Sequence, residues 1–204
     1  MKYIGPKARL CRREGFNLFG SDKYQKIMAK RPTVPGMHGG KRQGKFTEYA
    51  KQLREKQKLK RMFGLSEKQF RRAFDLAERK TGVTGGNLLQ LLEQRMDNVV
   101  YRAGFAMTRM QARQFVSHGL FMLNGRRVDV PSIMIKAGDK IEVRAKSKKS
   151  PVFAGNLETN EKYNAPSWMV VNVKDISVEI TSLPSAEHCE QAVNPQMIVE
   201  FYSR

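Results

Sequence analysis

The chain has 204 residues, with 38 Lys and Arg against 19 Asp and Glu and a formal net charge of +19. This length excludes several independent catalytic units, and the charge excludes a neutral, self-contained domain. Hydrophobic residues at 40% and aromatics at 9% still allow a packed core, so the expectation is a folded protein that binds a polyanion.

The charge is segregated along the chain. Residues 1–150 hold 35 basic and 12 acidic residues, whereas 151–204 hold 3 and 7. A binding surface carried by the first three quarters follows, with nucleic acid as leading partner and an anionic membrane second. No window approaches 18 consecutive apolar residues, and the start lacks the apolar centre of a secretory signal, so a soluble, cytoplasmic protein that does not span a membrane is expected. Cys11 and Cys189 cannot supply a four-thiolate metal site and read as reduced thiols.

Residues 1–46, rich in Gly, Pro, Lys and Arg, read as an extended basic arm with short helical turns. His38, with no second ligand nearby, reads as a stacking or hydrogen-bonding residue. From Thr47 the pattern is helical: Tyr49, Leu53, Leu59 and Phe63 share one side, Gly64 marks the stop, and Lys51, Arg54, Lys58 and Arg61 form an opposite cationic stripe. Lys56 and Lys60 fall on the apolar side, where they are expected to snorkel around its edge.

Ser66 with Gln69 forms a capping-box signature for a second helix, with Phe70, Ala73, Phe74 and Ala77 inward and Lys68, Arg72 and Arg79 outward. The stretch TGVTGG reads as a hinge and lacks the ending of a P-loop. Asn87 with Gln90 then caps a third helix, LLQLLEQRMDNVVYRAG. Its Leu88, Leu92, Met96 and Val99 face a core, and Arg95, Asn98 and Arg102 form a polar edge.

Thr108 and Gln111 start a short helix that stops at Gly119, with Ala112, Phe115 and Val116 inward and Arg109, Arg113 and Ser117 outward. On this phase, replacing Arg109 and Arg113 by alanine would leave the fold intact. Asn124-Gly125 between FML and RRVDV signals a type I′ hairpin, and IEVRA supplies a third strand. After a basic linker, RAKSKK, the segments WMVVNV, ISVEI and MIVEFY read as strands, with Trp168 as a packing anchor.

Clustered cations neutralise phosphates and release counterions, and four successive helical stripes poorly balanced by carboxylates point to a polyanion. Rigid stripes beside a loose basic arm suit RNA junctions better than a uniform duplex, and the helix start at Thr108 offers amide groups to a phosphate. A helix-turn-helix DNA binder and an RNA-modifying enzyme remain open on the residues alone. No arrangement of nucleophile and base is visible, and His38, His118 and His188 are scattered.

The stretch LLEQRMDNVVYRAGFAMTRMQARQFVSHGLFMLNGRRV closely resembles the RNA-binding module of small-subunit ribosomal protein S-four, shared with several RNA-modifying enzymes. The start YIGPKARLCRREG, the segment YAKQLREKQKLKRMFG and the ending MIVEFYS resemble the bacterial ribosomal family itself. The resemblance implies an α+β protein: a basic, mainly helical N-terminal domain, a small ααβββ module with a helix-turn-helix-like pair on an antiparallel sheet, and a β-rich C-terminal segment. Its boundaries would be an arm at 1–46, a helical rRNA-binding domain at 47–93, the module at 94–154 and a segment at 155–204 whose end returns to the helical domain.

The resemblance further implies a non-catalytic constituent of the small ribosomal subunit. It would be a primary binder of the 5′ domain of 16S-type rRNA, nucleating assembly and influencing accuracy beside ribosomal protein S-five, near mRNA where it enters the subunit. The residues it implies at rRNA are Lys7, Arg9, Arg12, Arg13, Lys41 and Arg42 in the arm. In the helical domain they are Lys51, Arg54, Lys56, Lys58, Arg61, Lys68 and Arg72. In the module they are Arg95, Arg102, Thr108, Arg109, Arg113, Gln114, Ser117, His118, Asn124 and Arg126. Some members hold zinc in an N-terminal cysteine cluster, whereas only Cys11 stands there here, so no metal and no cofactor are expected.

Overall fold

Capping chemistry sets the helix boundaries in the computed structural model, which describes residues 3–40, 44–148, 150, 153, 165–173, 175–185 and 188–203. Two units form: one is 86–190, and the other combines 1–85 with 191–204.

In the unit of 1–85 and 191–204, the arm read as extended with short helical turns carries two helices of eight and nine residues, more regular structure than expected. Helices α1 (Lys7–Glu14) and α2 (Asp22–Lys30) bury Cys11 in α1, and Leu18 is buried between them. Gly15 closes α1 in a left-handed conformation and donates its N–H to Cys11 O. Arg12 Nε donates to Thr33 O at 2.9 Å, tying α1 to the turn beyond α2.

Helix α3 (Glu48–Met62) begins where Thr47 accepts the Ala50 N–H, and α4 (Glu67–Glu78) begins with the reciprocal Ser66–Gln69 box. Phe70, Phe74 and Ala77 are buried as the pattern predicted. The buried side of α3 is rotated from the predicted one: Gln52, Lys56, Leu59 and Met62 are inside, Leu53 is half-buried and Tyr49 is exposed.

The segment expected as a last strand is instead helix α9 (Pro195–Tyr202). Asn194 Oδ1 accepts the Gln196 N–H at 3.0 Å, and Pro195 starts the helix at a position where no N–H is needed. A short apolar run reads equally well with either period. The helical one places Tyr202 against Phe70 and Phe74, with ring centroids at 6.2 and 4.6 Å, while α9 packs along α3.

The predicted hinge TGVTGG supplies the first turn of helix α5 (Thr84–Glu93), so Asn87 lies inside the helix and not at its cap. A Cβ on Gly85 would stand 2.8 Å from Pro195 Cβ, so this glycine permits close packing against α9. The predicted long third helix is broken after Glu93, and α6 (Met96–Arg102) starts anew. Between them Gln94 O accepts the Ile135 N–H, and Met96 N donates to Ile133 O, each at 2.9 Å. That bridge takes the backbone groups a continuous helix would have used.

In the unit of 86–190, α7 (Arg109–Ser117) precedes the hairpin of β1 (Phe121–Leu123) and β2 (Arg126–Val128). Asn124 (φ 49°) and Gly125 (φ 78°) both have the positive φ of a type I′ turn. After β3 (Lys140–Val143), the basic linker carries a short helix α8 (Ala145–Lys148), followed by β4 (Met169–Asn172) and β5 (Ser177–Ile180). The sheet is antiparallel with five strands in the order β2-β1-β3-β5-β4: the predicted strands WMVVNV and ISVEI, as β4 and β5, join the three of the module. Ile141 pairs with Val178 in the β3–β5 register, and both are buried. Beneath lies a core of Met96, Val99, Ala112, Val116, Phe121 and Trp168, in which the tryptophan is 2% exposed.

Candidate nucleic-acid interface

Four arginines predicted on open edges are engaged within the unit of 86–190. Glu93, its side chain 1% exposed, receives two parallel donors from Arg102: Nε to Oε2 at 2.9 Å and Nη2 to Oε1 at 2.7 Å. Asn98 Nδ2 donates to the same carboxylate, and its Oδ1 accepts from Arg109 Nε at 2.8 Å. Arg109 also donates to Glu190 Oε2 at 3.0 Å and lies 4.7 Å from the Tyr101 ring centroid.

Buried Arg95 grips Asp97 at 3.1 and 3.0 Å, and Arg113 Nη1 lies 3.9 Å from Asp97 Oδ2. The reading of poorly balanced cations is therefore corrected here, because Glu93, Asp97 and Glu190 meet them. Burial, with Glu93 and Glu190 nearby, pushes the Cys189 thiol up to about 12, which keeps it protonated.

What remains open is the far side of α7. Gln114, Ser117 and His118, spaced i, i+3 and i+4, are exposed, and Thr108 caps the other end by accepting the Gln111 N–H. Gly119 (φ +64°) ends the helix, and a Cβ there would stand 2.6 Å from Arg127 Nε. Arg144 Nη1 donates to Gly119 O at 3.2 Å. Arg126 and Arg127 are exposed on β2. Asn124 holds the turn: it donates to Asp139 Oδ1 and accepts the Lys140 N–H, both at 2.8 Å.

In the other unit, the α3 stripe is a clamp. Arg54 and Arg61 bind Glu14, whose side chain is 1% exposed, and burial raises the Glu14 carboxyl despite the two arginines. Lys58 donates to Ala192 O and lies 4.8 Å from the Phe16 ring centroid, and Lys51 pairs with Glu48. Lys56 does not snorkel outward and is not placed to meet phosphate. It is buried, donating to Glu67 Oε1 at 2.7 Å, with Phe201 and Tyr202 beneath it. Burial acts to raise the Glu67 carboxyl, but hydrogen bonds from Lys56, Lys60 and Tyr202 hold it at about 2.

Of the described cations predicted at RNA in this unit, Arg9 and Arg13 on α1, Lys51 on α3 and Lys68 and Arg72 on α4 are exposed, with Lys7 and Arg12 half-buried. Lys41 and Arg42 lie outside the described residues. Sequence reasoning missed Arg127 and Arg144, because neither falls on a helical stripe. Strand alternation could have found Arg127: Val128 pairs inward with Phe121, so its neighbour must face out.

Residues 2–93 match the ribosomal protein S4/S9 N-terminal domain, and residues 94–141 match the S4 domain. The small ribosomal subunit protein uS4 of Borrelia turicatae (strain 91E135) is 51% identical over 97% of this chain and 96% of its own length. That of Thermoanaerobacter sp. (strain X514) is 48% identical over 100% of this chain and 99% of its own. The chain belongs to the uS4 family of small-ribosomal-subunit proteins.

The uS4 family is structural and non-enzymatic, and membership makes this chain a constituent of the small subunit. The S4-domain match takes in α6, α7, the hairpin and the first two residues of β3, whereas β5 and β4 widen the sheet beyond it. Among the described residues no helix is long and apolar enough to cross a membrane.

Proposed function

We propose that this chain is a primary binder of the 5′ domain of 16S-type rRNA, nucleating assembly of that part of the subunit. It acts in the cytoplasm beside ribosomal protein S-five and influences decoding accuracy, close to mRNA where it enters the subunit. The observation that carries the reading is the exposed polar edge at the end of α7, Gln114, Ser117 and His118, with Arg126 and Arg127 exposed on the following hairpin. Short polar side chains meet ribose hydroxyls and bases, and the arginines meet phosphates.

The proposed rRNA residues divide into two kinds. Arg9, Arg13, Lys68, Arg72, Gln114, Ser117, His118 and Arg126 are exposed and contact RNA directly. Arg95, Arg102, Arg109 and Arg113 stiffen the scaffold, and their half-buried members add positive potential. The arm at 1–46, the helical part at 47–93 and the module at 94–154 each contact the junction, and the end of 155–204, as α9, packs along α3.

The test is competition between a folded 5′-domain rRNA fragment and duplex DNA at matched salt. With about 6 to 10 phosphate contacts, non-specific binding falls by roughly 10³ to 10⁵ between 50 and 200 mM salt. Preference for the fragment should persist across that range. Equal loss with both ligands would reduce the chain to a non-selective basic protein.

A further inference from the structure

The unit of 1–85 and 191–204 holds a pocket of about 450 Å³, within the roughly 300–1,000 Å³ of sites that enclose a small molecule. Its lining mixes two chemistries. Arg12, Arg13, Lys51 and Arg54 stand against two carboxylates, Glu14 and Glu55, and Phe46, Val34 and Met197 add apolar surface.

The cations differ in how they are held. Arg12 is fixed by Thr33 and Arg54 by Glu14. Arg13 is exposed and has no ion pair among the described residues. Lys51 pairs with Glu48 where the side chains are 48% and 69% exposed, a pairing of little strength that a phosphate can displace.

Phe46 is 55% exposed and has no ring partner among the described residues. An exposed aromatic ring lining the same pocket as available cations has the makings of a stacking platform for one base and its phosphate. A paired duplex cannot offer a base face to such a pocket, whereas an unstacked strand can.

The geometry points to a subsite for a single unstacked nucleotide of an RNA strand, its base on Phe46 and Met197 and its phosphate on Arg13 and Lys51. The assignment rests on the rRNA reading above and gives that reading a specific nucleotide pocket. The helical unit then reads single-stranded bases at a junction as well as backbone charge.

The test titrates the full chain into a short single-stranded RNA carrying 2-aminopurine at one position. Saturable quenching is expected. Phe46→Ala should weaken binding about tenfold and Phe46→Tyr should restore it, since stacking tolerates any aromatic face. An abasic residue at the probe position should cost about the same. Equal binding of the abasic strand, or no effect of Phe46→Ala, overturns the subsite.

Adenosine monophosphate should compete far more weakly than the strand. Equal competition would assign the pocket to a free nucleotide and overturn the RNA source. Binding of the folded rRNA fragment is measured in parallel with the same variants. If the unmodified chain binds the fragment while the probe shows nothing, only the subsite falls; if the fragment is not bound either, the rRNA reading falls with it.

Discussion

Lys56 Nζ lies 2.7 Å from Glu67 Oε1 and 4.5 Å from the centroid of Phe201, so one buried ammonium joins α3, the start of α4 and the C-terminal helix. A buried cation without its carboxylate is costly, and so is the carboxylate's loss of that partner. Lys60 also reaches Glu67, at 2.7 Å, which limits the damage on the acidic side. Lys56→Ala is expected to destabilise by about 2 kcal/mol and Lys60→Ala by less than half of that, measured by urea unfolding. Equal effects would mean that burial of Lys56 contributes nothing.

The same carboxylate gives a signed pH dependence. Its value in the fold, about 2, is below its ordinary 4.5, so the stabilisation is complete above 4.5 and is lost as pH falls from there towards 2. The Glu67 side chain is 49% exposed, and after solvent screening the contribution is on the order of 1 kcal/mol. The chain should therefore be more stable than its Glu67→Gln variant at neutral pH, with the gap closing across that acid window. A gap that widens on acidification would contradict the assignment.

Arg109 and Arg113 present a case where the phase of α7 holds, with Ala112 and Val116 buried, but its outward arginines are not free. Helical phase alone put Arg109 and Arg113 on a free outer face, so their double alanine variant would keep its fold. The arginines instead meet Glu93, Asp97 and Glu190. Arg102→Ala leaves the Glu93 carboxylate, 1% exposed, without its forked partner and should cost about 3 kcal/mol. The Arg109→Ala, Arg113→Ala pair should lower unfolding stability measurably along with RNA affinity. Calorimetry showing an unchanged melt would mean that these ion pairs add nothing to the fold.

Where capping residues and strict alternation carried the signal, the chain was legible before its coordinates. The Ser66–Gln69 box, the Asn124-Gly125 turn and the inward Leu88 and Leu92 stand where their spacing placed them, while Met96 and Val99 are buried as expected but on a separate helix. Long-range partners have no local signature. Nothing near Arg109 announces Glu190, 81 positions away, and nothing near Lys56 announces α9. For the site this mattered most: charge identified a cationic chain, but only the fold separates cations that hold the protein together from those that face outward.

That separation yields the last prediction. Lys68 and Arg72 are exposed on α4, with no ion pair among the described residues, while Gln114 and His118 are exposed hydrogen-bonding side chains at the end of α7. If Lys68 and Arg72 neutralise phosphates, replacing both by alanine removes two counterion-release events. The slope of log affinity against log salt should then fall by about 2, with affinity lost evenly across RNA sequences. Gln114→Ala with His118→Ala should leave that slope unchanged and weaken the preferred fragment over a scrambled one, because hydrogen bonds discriminate where charge does not. Filter binding at four salt concentrations separates the two. If both pairs shift the slope alike, the α7 edge acts as a phosphate contact and the division of labour between the two units is wrong.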